Sequence, residues 1–448
     1  MQNMYYSPFQ ILIKLRFKGN FDRALQWVSG KEIAKNNKIP YMRIGVDYYK
    51  VIYKIDRYGI NRRILKAWKK EEIKQDYGKE FLKEIPRYDD FVLVPDNINH
   101  QTIINNCFNM YAPFPYEPAP GQTKWSDILM EHIFGEQLEQ GYQYMKALYE
   151  NPDKILPILA IVSQQRETGK TTYLNWLSMI FGDNSITVES ESLLKSHNSE
   201  YADKNLILIE EAKVDKSTAT EKLKRLSTQK ELTVDPKFVQ PYKLPCYFKI
   251  VILSNDEDKF AKVDDEEIRF FVRKVGDIKH RNTDIESDLL KEIPAFLDKL
   301  AKMPALDFTK SRMLFTAEEL NNESLQKVKK ESKPELYKEL FEYFTNIFED
   351  SRDQDMKYFF VRPKEIKEYW FKSMSNITAS YIRKILINEF KFNITSKNRR
   401  HEAFTDKSGE LNGKPFVIPK SFFIDDNDEV KDMNEAPDVY VQDNELPF

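Results

Sequence analysis

Apolar residues in this chain gather into short runs separated by charged stretches. Residues 155–162 (ILPILAIV) form one run, followed by the polar segment SQQRETG and then KTTYLNWLSMIF, where Leu174, Leu177 and Phe181 share a helical face. This order predicts strand, loop and helix over 155–181. Two more aliphatic runs, 206–209 and 249–253, read as buried strands, the first ending in Glu210-Glu211 and the second in Ser254-Asn255. Runs that are apolar throughout belong to sheets covered on both faces, so the expected fold class is α/β with a central parallel sheet flanked by helices.

The flanking regions follow other patterns. In residues 1–120, an N-terminal accessory domain, alternation over 43–55 predicts strands around a turn near Asp47. The following NRRILKAWKKEEIK reads as a charged, helical piece through Trp68. Basic residues there are interleaved with Tyr48, Tyr49, Tyr53 and Trp68, which suits the aromatic core of a small accessory domain first, and the stacking of bases and gripping of phosphates second. The proline-rich YAPFPYEPAPGQ (111–122) reads as an extended linker, and 121–152 as a helical collar leading into the core at 153–302. Within that core, STQKELTVDPKFVQPYKLPCYF predicts a hairpin with Lys237 near its tip. Residues 303–424 read as helix, helix and basic strand pair, compatible with a winged-helix-like domain whose wing carries Lys397, Arg399 and Arg400, or with another small helical domain. Residues 425–448 form an acidic tail, expected to be disordered, that ends in Leu446-Pro447-Phe448.

Composition narrows the class. A chain of 448 residues, 41% hydrophobic, is long enough for about three domains and a sizeable core. No apolar run approaches bilayer thickness and MQNMYYSPFQ lacks a signal-peptide pattern, so a cytoplasmic protein is expected. Cys107 and Cys246, the two cysteines, are too few and too far apart for a disulfide framework or zinc ribbon. The net charge of −2 conceals nine acids against Lys431 in the tail, which leaves residues 1–424 at +6. A mildly basic body suits nucleic-acid binding.

The candidate chemistry lies at the ends of the buried runs. Backbone N–H groups around Thr168, Gly169, Lys170, Thr171 and Thr172, at the start of a helix, would hold phosphates; Lys170 would reach the β/γ oxygens and the Thr171 hydroxyl would ligate Mg²⁺. The motif GxxxxGK[ST] wants glycine at 164, where this chain has Gln164. Glu210 would hold the metal and Glu211 polarise the attacking water, or the pair simply ends a strand; Asn255 at a neighbouring strand tip would orient that water or serve as an ordinary turn residue. Arg269 is suited either to stabilising transition-state charge from a neighbouring subunit or to an ion pair with the acids upstream.

The ordered set TGKTTYLNWLSMIFGDN, HNSEYADKNLILIEE, LKRLSTQKELTVDPKFVQPY, KIVILSNDEDKF and DDEEIRFFVRKV resembles the superfamily 3 helicase domain of phage, plasmid and large-DNA-virus replication proteins, over about residues 125–300. It looks closest to the primase–helicase type of phages, related to that of poxviruses. The resemblance implies an AAA+-like core that hydrolyses ATP with Mg²⁺ between subunits of a ring, a hexamer, moving along single-stranded or forked DNA inside a bacterial host. It gives Lys170 and Thr171 to the nucleotide loop, Glu210 and Glu211 to the acidic motif, Lys237 to a DNA-contacting hairpin, Asn255 to phosphate sensing and Arg269 to the arginine finger. The tail is similar to the acidic, Phe-terminated tips of single-stranded-DNA-binding proteins, which dock on replication partners. Two other readings are an ATP-switched scaffold or origin-binding protein, and a metabolic phosphate-loop kinase, for which no lid or acceptor motif is visible.

Overall fold

The computed structural model describes residues 39–194, 198–210, 217–235, 242–350, 356–395, 398–402 and 410–424. They fall into two compact units, divided between Val328 and Lys329.

The first unit is built on a five-stranded parallel sheet of β8 (Ile158–Val162), β9 (Ser185–Glu189), β10 (Leu206–Glu210), β13 (Lys249–Ser254) and β14 (Phe270–Lys274), in the order β14-β8-β13-β10-β9. Alternate residues of the aliphatic runs enter opposite layers, as the two-residue repeat of a strand requires. Leu159, Ile161, Leu208, Val251, Leu253 and Phe271 pack against α3 (Lys124–Phe134), α4 (Leu138–Glu150), α5 (Lys170–Phe181) and α8 (Ile285–Lys302). Ile158, Ala160, Val162, Ile207, Ile209, Ile250 and Ile252 face the other layer, which includes α7 (Ser217–Thr228). Each such Val, Leu, Ile or Phe side chain withdrawn from water contributes about 1.5–3 kcal/mol, which is why these runs carry no polar alternation. The mixed α/β class with a parallel sheet is thus the observed one. Strand β9 and the short α6 (Ser190–Leu194) had no distinct signal in the sequence.

The predicted hairpin is present as β11 (Glu231–Val234) paired antiparallel with β12 (Tyr242–Pro245); its tip, with Lys237, lies outside the described residues. The proline-rich 111–122 forms no helix or strand, and its first half is packed: Tyr111 and Ala112 are buried, and Phe114 and Tyr116 lie against the α3–α5 core.

Towards the N-terminus, β1 (Tyr41–Ile44), β2 (Asp47–Ile55) and β3 (Asn61–Trp68) form an antiparallel meander, with β4 (Arg87–Tyr88) parallel to β1. The helix expected through Trp68 is strand as far as that residue. Eight registered pairs with β2 outweigh the local helical tendency, and α1 (Lys70–Tyr77) begins only afterwards. Beyond α2 (Phe81–Glu84), β5 (Phe91–Val92), β6 (Ile103–Ile104) and β7 (Cys107–Asn109) make a small second sheet. The start of β3 is fastened to α5 and the turn after it: Arg62 donates to the Ser178 carbonyl at 3.1 Å and the Arg63 N–H to Asp183 Oδ2 at 2.8 Å. Helix α9 (Ala317–Leu320) and the part of α10 (Glu323–Ser332) up to Val328 close the unit.

The second unit runs α11 (Glu335–Asp350), β15 (Tyr358–Val361), α12 (Pro363–Tyr369), α13 (Ala379–Asn388), the hairpin β16 (Arg399–Glu402) and β17 (Glu410–Gly413), and β18 (Phe416–Pro419), which pairs antiparallel with β15. Phe344, Phe371, Phe390 and Phe416 anchor its own core. Lys397 lies outside the described residues, as does the tail.

Candidate functional site

Parallel sheets bind ligands beyond the carboxyl ends of their strands, where the strand order reverses. Here that point is the tip of β8, which has β13 on one side and β14 on the other. The loop leaving it, residues 163–169, returns into α5 through Gly169 at φ +82°, a left-handed conformation that disfavours any residue with a Cβ. The first N–H groups of α5 have no carbonyl partner within the helix and point towards this end. Glu167 is also left-handed, at φ +57°, whereas Gln164 is not among the positive-φ residues. The missing motif glycine therefore costs the loop nothing in backbone strain. The Gln164 N–H instead donates to Glu257 Oε1 at 3.0 Å.

Lys170, the first residue of α5, is 8% exposed. Its ammonium donates to the carbonyls of Ser163 at 3.0 Å and Gln165 at 3.2 Å, and to Thr168 Oγ1 at 3.4 Å. Burial lowers its affinity for the proton, and the Glu257 carboxylate partly opposes that. Thr168 is buried, and its carbonyl lies 2.9 Å from His132 Nε2 of α3, whose ring donates to it. Thr171 is exposed, and its hydroxyl donates to Glu210 Oε1 at 3.2 Å, joining the start of α5 to the tip of β10. Thr172 is half-buried beside it. Asn255 follows the last residue of β13, whose Ser254 carbonyl accepts from the Ser163 N–H at 3.1 Å, so this exposed amide stands next to the loop's first residue.

Lys170, Thr171, Glu210 and Asn255 thus converge at neighbouring strand tips. Glu211 lies outside the described residues. Arg269 is at the opposite end of the sheet, just before β14, where its carbonyl accepts from the N–H of Ile158, the first residue of β8. Its guanidinium pairs with Glu267 at 2.8 Å, and Glu267 also meets Lys224 at 3.2 Å. Within one chain, then, Arg269 does not reach the cluster. Arg273, by contrast, is buried against Glu136 at 2.8 Å and bonds Gln137.

Three contributors had escaped the sequence reading. Glu257 sits two residues past Asn255 and could have been read as a third member of that segment; it also pairs with Lys274 at 2.6 Å. His132 and Glu286, the latter accepting from Asn175 at 2.8 Å, carry no local signal. A cavity of about 590 Å³ adjoins the cluster, lined by Thr171, Asn175 and Glu210 on one side and by Asp56, Arg57 and Tyr58 of the β2–β3 turn on the other. Among the described residues no group of three or more His, Cys, Asp or Glu forms a metal cage.

Sheet and site define an α/β protein with a strand–loop–helix element at its switch point. A family model described as "Family of unknown function (DUF5906)" matches residues 161–273, from within β8 to within β14. No curated protein matches the chain. Among solved structures, "The apo structure of NrS-1 C terminal region (305-718)" superposes with a TM-score of 0.61 at 13% identity, covering 87% of this chain and 97% of that chain. "The A form apo structure of NrS-1 C terminal region-CTR(305-718)" gives a TM-score of 0.58 at 14% identity, with 87% and 98% covered. At such identities the likeness establishes a shared fold.

Proposed function

We propose that the first unit is an ATP-hydrolysing motor of the superfamily 3 helicase type, with an AAA+-like phosphate-loop core, acting on single-stranded and forked DNA in phage- or plasmid-type replication. One observation carries the reading: the Thr171 hydroxyl, bonded to Glu210 at 3.2 Å, stands beside the Lys170 ammonium at the tips of β8 and β10. Lys170 would exchange its loop carbonyls for β/γ-phosphate oxygens of ATP, and the free N–H groups at the start of α5 would cradle the phosphates with Thr168, Gly169 and Thr172. The residues fit Mg²⁺, which takes one or two protein oxygens and leaves the rest to water and phosphate; Thr171 and Glu210 would hold it. When bound, it neutralises charge on the transferred phosphoryl group. Glu211 would polarise the attacking water and Asn255 orient it. Arg269 would act on the site of a neighbouring subunit in a hexameric ring.

In this reading Lys237, between β11 and β12, touches DNA phosphate in the pore, and the second unit is a winged-helix-like module. The order helix, strand, helix, helix, hairpin, strand, with β15 beside β18, supports that assignment. The acidic tail would dock a replication partner. A second reading, an ATP-switched scaffold without processive unwinding, is favoured by one contact: Glu257 occupies the Gln164 N–H and places a negative charge beside the phosphate loop.

The deciding experiment measures ATP hydrolysis with and without single-stranded DNA, together with strand separation, for the native chain and Lys170→Ala. DNA-stimulated hydrolysis and unwinding, both lost in the variant while DNA binding persists, are the expected result. Unwinding retained by Lys170→Ala overturns the site assignment, and ATP-dependent assembly without unwinding selects the scaffold.

A further inference from the structure

The register of β1–β3 places Tyr41, Arg43, Tyr48, Lys50, Ile52, Lys54, Arg62, Ile64, Lys66 and Trp68 on one face of the meander, since directly opposed residues share a face. Five of these are basic and none is acidic. At one end Tyr41, Tyr48 and Trp68 are covered by Ile73, Leu82 and Ile85. At the other, Arg62 is bound to Asp56 at 2.8 Å. Between them lies an open strip. Lys50 stands directly opposite Lys66, and Lys54 opposite Arg62, with Ile52 and Ile64 paired between. Lys54, Ile64 and Lys66 are exposed.

Like charges directly opposed across two strands cost stability. Among the described residues, Lys50, Lys54 and Lys66 have no carboxylate partner that would offset this. Among the described residues, Lys50 and Lys66 have aromatic contacts: the Lys50 ammonium lies 4.6 Å and the Lys66 ammonium 5.6 Å from the centre of the Trp68 ring, and Lys50 lies 5.1 Å from that of Tyr41. Nor does the preceding chain supply acid in quantity, because residues 1–38 carry Lys14, Arg16, Lys18, Arg23, Lys31, Lys35 and Lys38 against Asp22 and Glu32. Of the aromatics that the sequence offered for base stacking, Tyr48 is buried in the core, Tyr49 and Trp68 are half-buried against core clusters, and Tyr53 is 47% exposed on the opposite face of the meander. The lysines between them are what faces outward.

We infer that this strip is a second nucleic-acid surface, outside the ATPase core, that grips the backbone of single-stranded DNA. Lys50 and Lys54 are four residues apart, about 13 Å along the strand, which spans a few nucleotides. The Ile52–Ile64 pair between the cations gives unstacked bases an apolar contact that a duplex would not use. The inference goes beyond the motor reading and survives its failure, because binding is measured without nucleotide.

Charge reversal tests it without endangering the fold. In Lys66→Glu the new carboxylate faces Lys50, so the thermal midpoint should stay level or rise. Affinity of the full chain for a fluorescein-labelled oligo(dT), read by anisotropy over a range of NaCl, should fall about tenfold, and the log–log salt slope should drop by about one to two. Lys54→Glu should act in the same direction, and both variants should hydrolyse ATP without DNA at the native rate. Unchanged affinity and slope in both variants overturn the inference, as does equal weakening on a duplex of the same length. A native chain that binds oligo(dT) in this way and hydrolyses no ATP sinks the motor and leaves this surface standing.

Discussion

The backbone N–H of Gln164 donates to the Glu257 carboxylate at 3.0 Å, a bond between the first free turn of the phosphate-type loop and the segment after β13. Burial opposes ionisation of Glu257, but hydrogen bonds from Lys274 and from Gln164 outweigh it and hold the carboxyl below its usual range. Glu257 is therefore a fixed negative charge at the mouth of a loop proposed to take an anion. Replacing it with glutamine keeps a hydrogen-bond acceptor and removes the repulsion. Glu257→Gln should lower the Kd for Mg-ATP several-fold, worth about 1 kcal/mol at the separations involved. Isothermal titration checks this; weaker binding in the variant would mean that the carboxylate organises the loop more than it repels the ligand.

Arg269 offers a test that a single chain cannot. Its ion pair with Glu267 lies at the far end of the sheet from Lys170, so any part in hydrolysis has to be played on another subunit. Arg269→Ala and Lys170→Ala should each be inactive alone, and mixing them should restore a fraction of the native ATPase rate, since some interfaces then combine an intact loop with an intact arginine. If Arg269→Ala keeps native activity, the residue is a structural partner of Glu267 and Lys224.

Lys249 opens β13 with its ammonium buried, donating to the carbonyls of Pro152 and, at 3.0 Å, Tyr247. Burial lowers its pKa from 10.5 to about 7, with Asp153 and Cys246 opposing. Between those two values the unfolded chain binds a proton that the folded chain does not. This residue should therefore make stability rise with pH across the window, by up to about 1.4 kcal/mol per unit. Below pH 7 its penalty is constant, and above 10.5 it is gone. Lys249→Met removes the titration, so urea unfolding across this range should give a flatter profile than the native chain; parallel profiles refute the assignment.

Local pattern settled the centre of this protein. The runs at 155–162, 206–209 and 249–253 had to be buried because an aliphatic strand without polar alternation is stable only with both faces covered, and the Gly169-Lys170-Thr171 turn follows from glycine's freedom at positive φ. Pairing and packing settled the rest. Residues 61–68 became strand because β2, just upstream across a five-residue turn, offered eight partners in register, which the pattern within 61–68 does not show. The first half of the proline-rich 111–122 packs on the core because α3–α5 exposed an apolar surface for Phe114 and Tyr116, while residues 117–122 stay exposed. Gln164 became acceptable because the loop took its left-handed residues at 167 and 169 instead. Arg269 was separated from Lys170 by strand direction alone: residues near each other in the motif order lie at opposite ends of parallel strands, and only the register between β8 and β14 decides that.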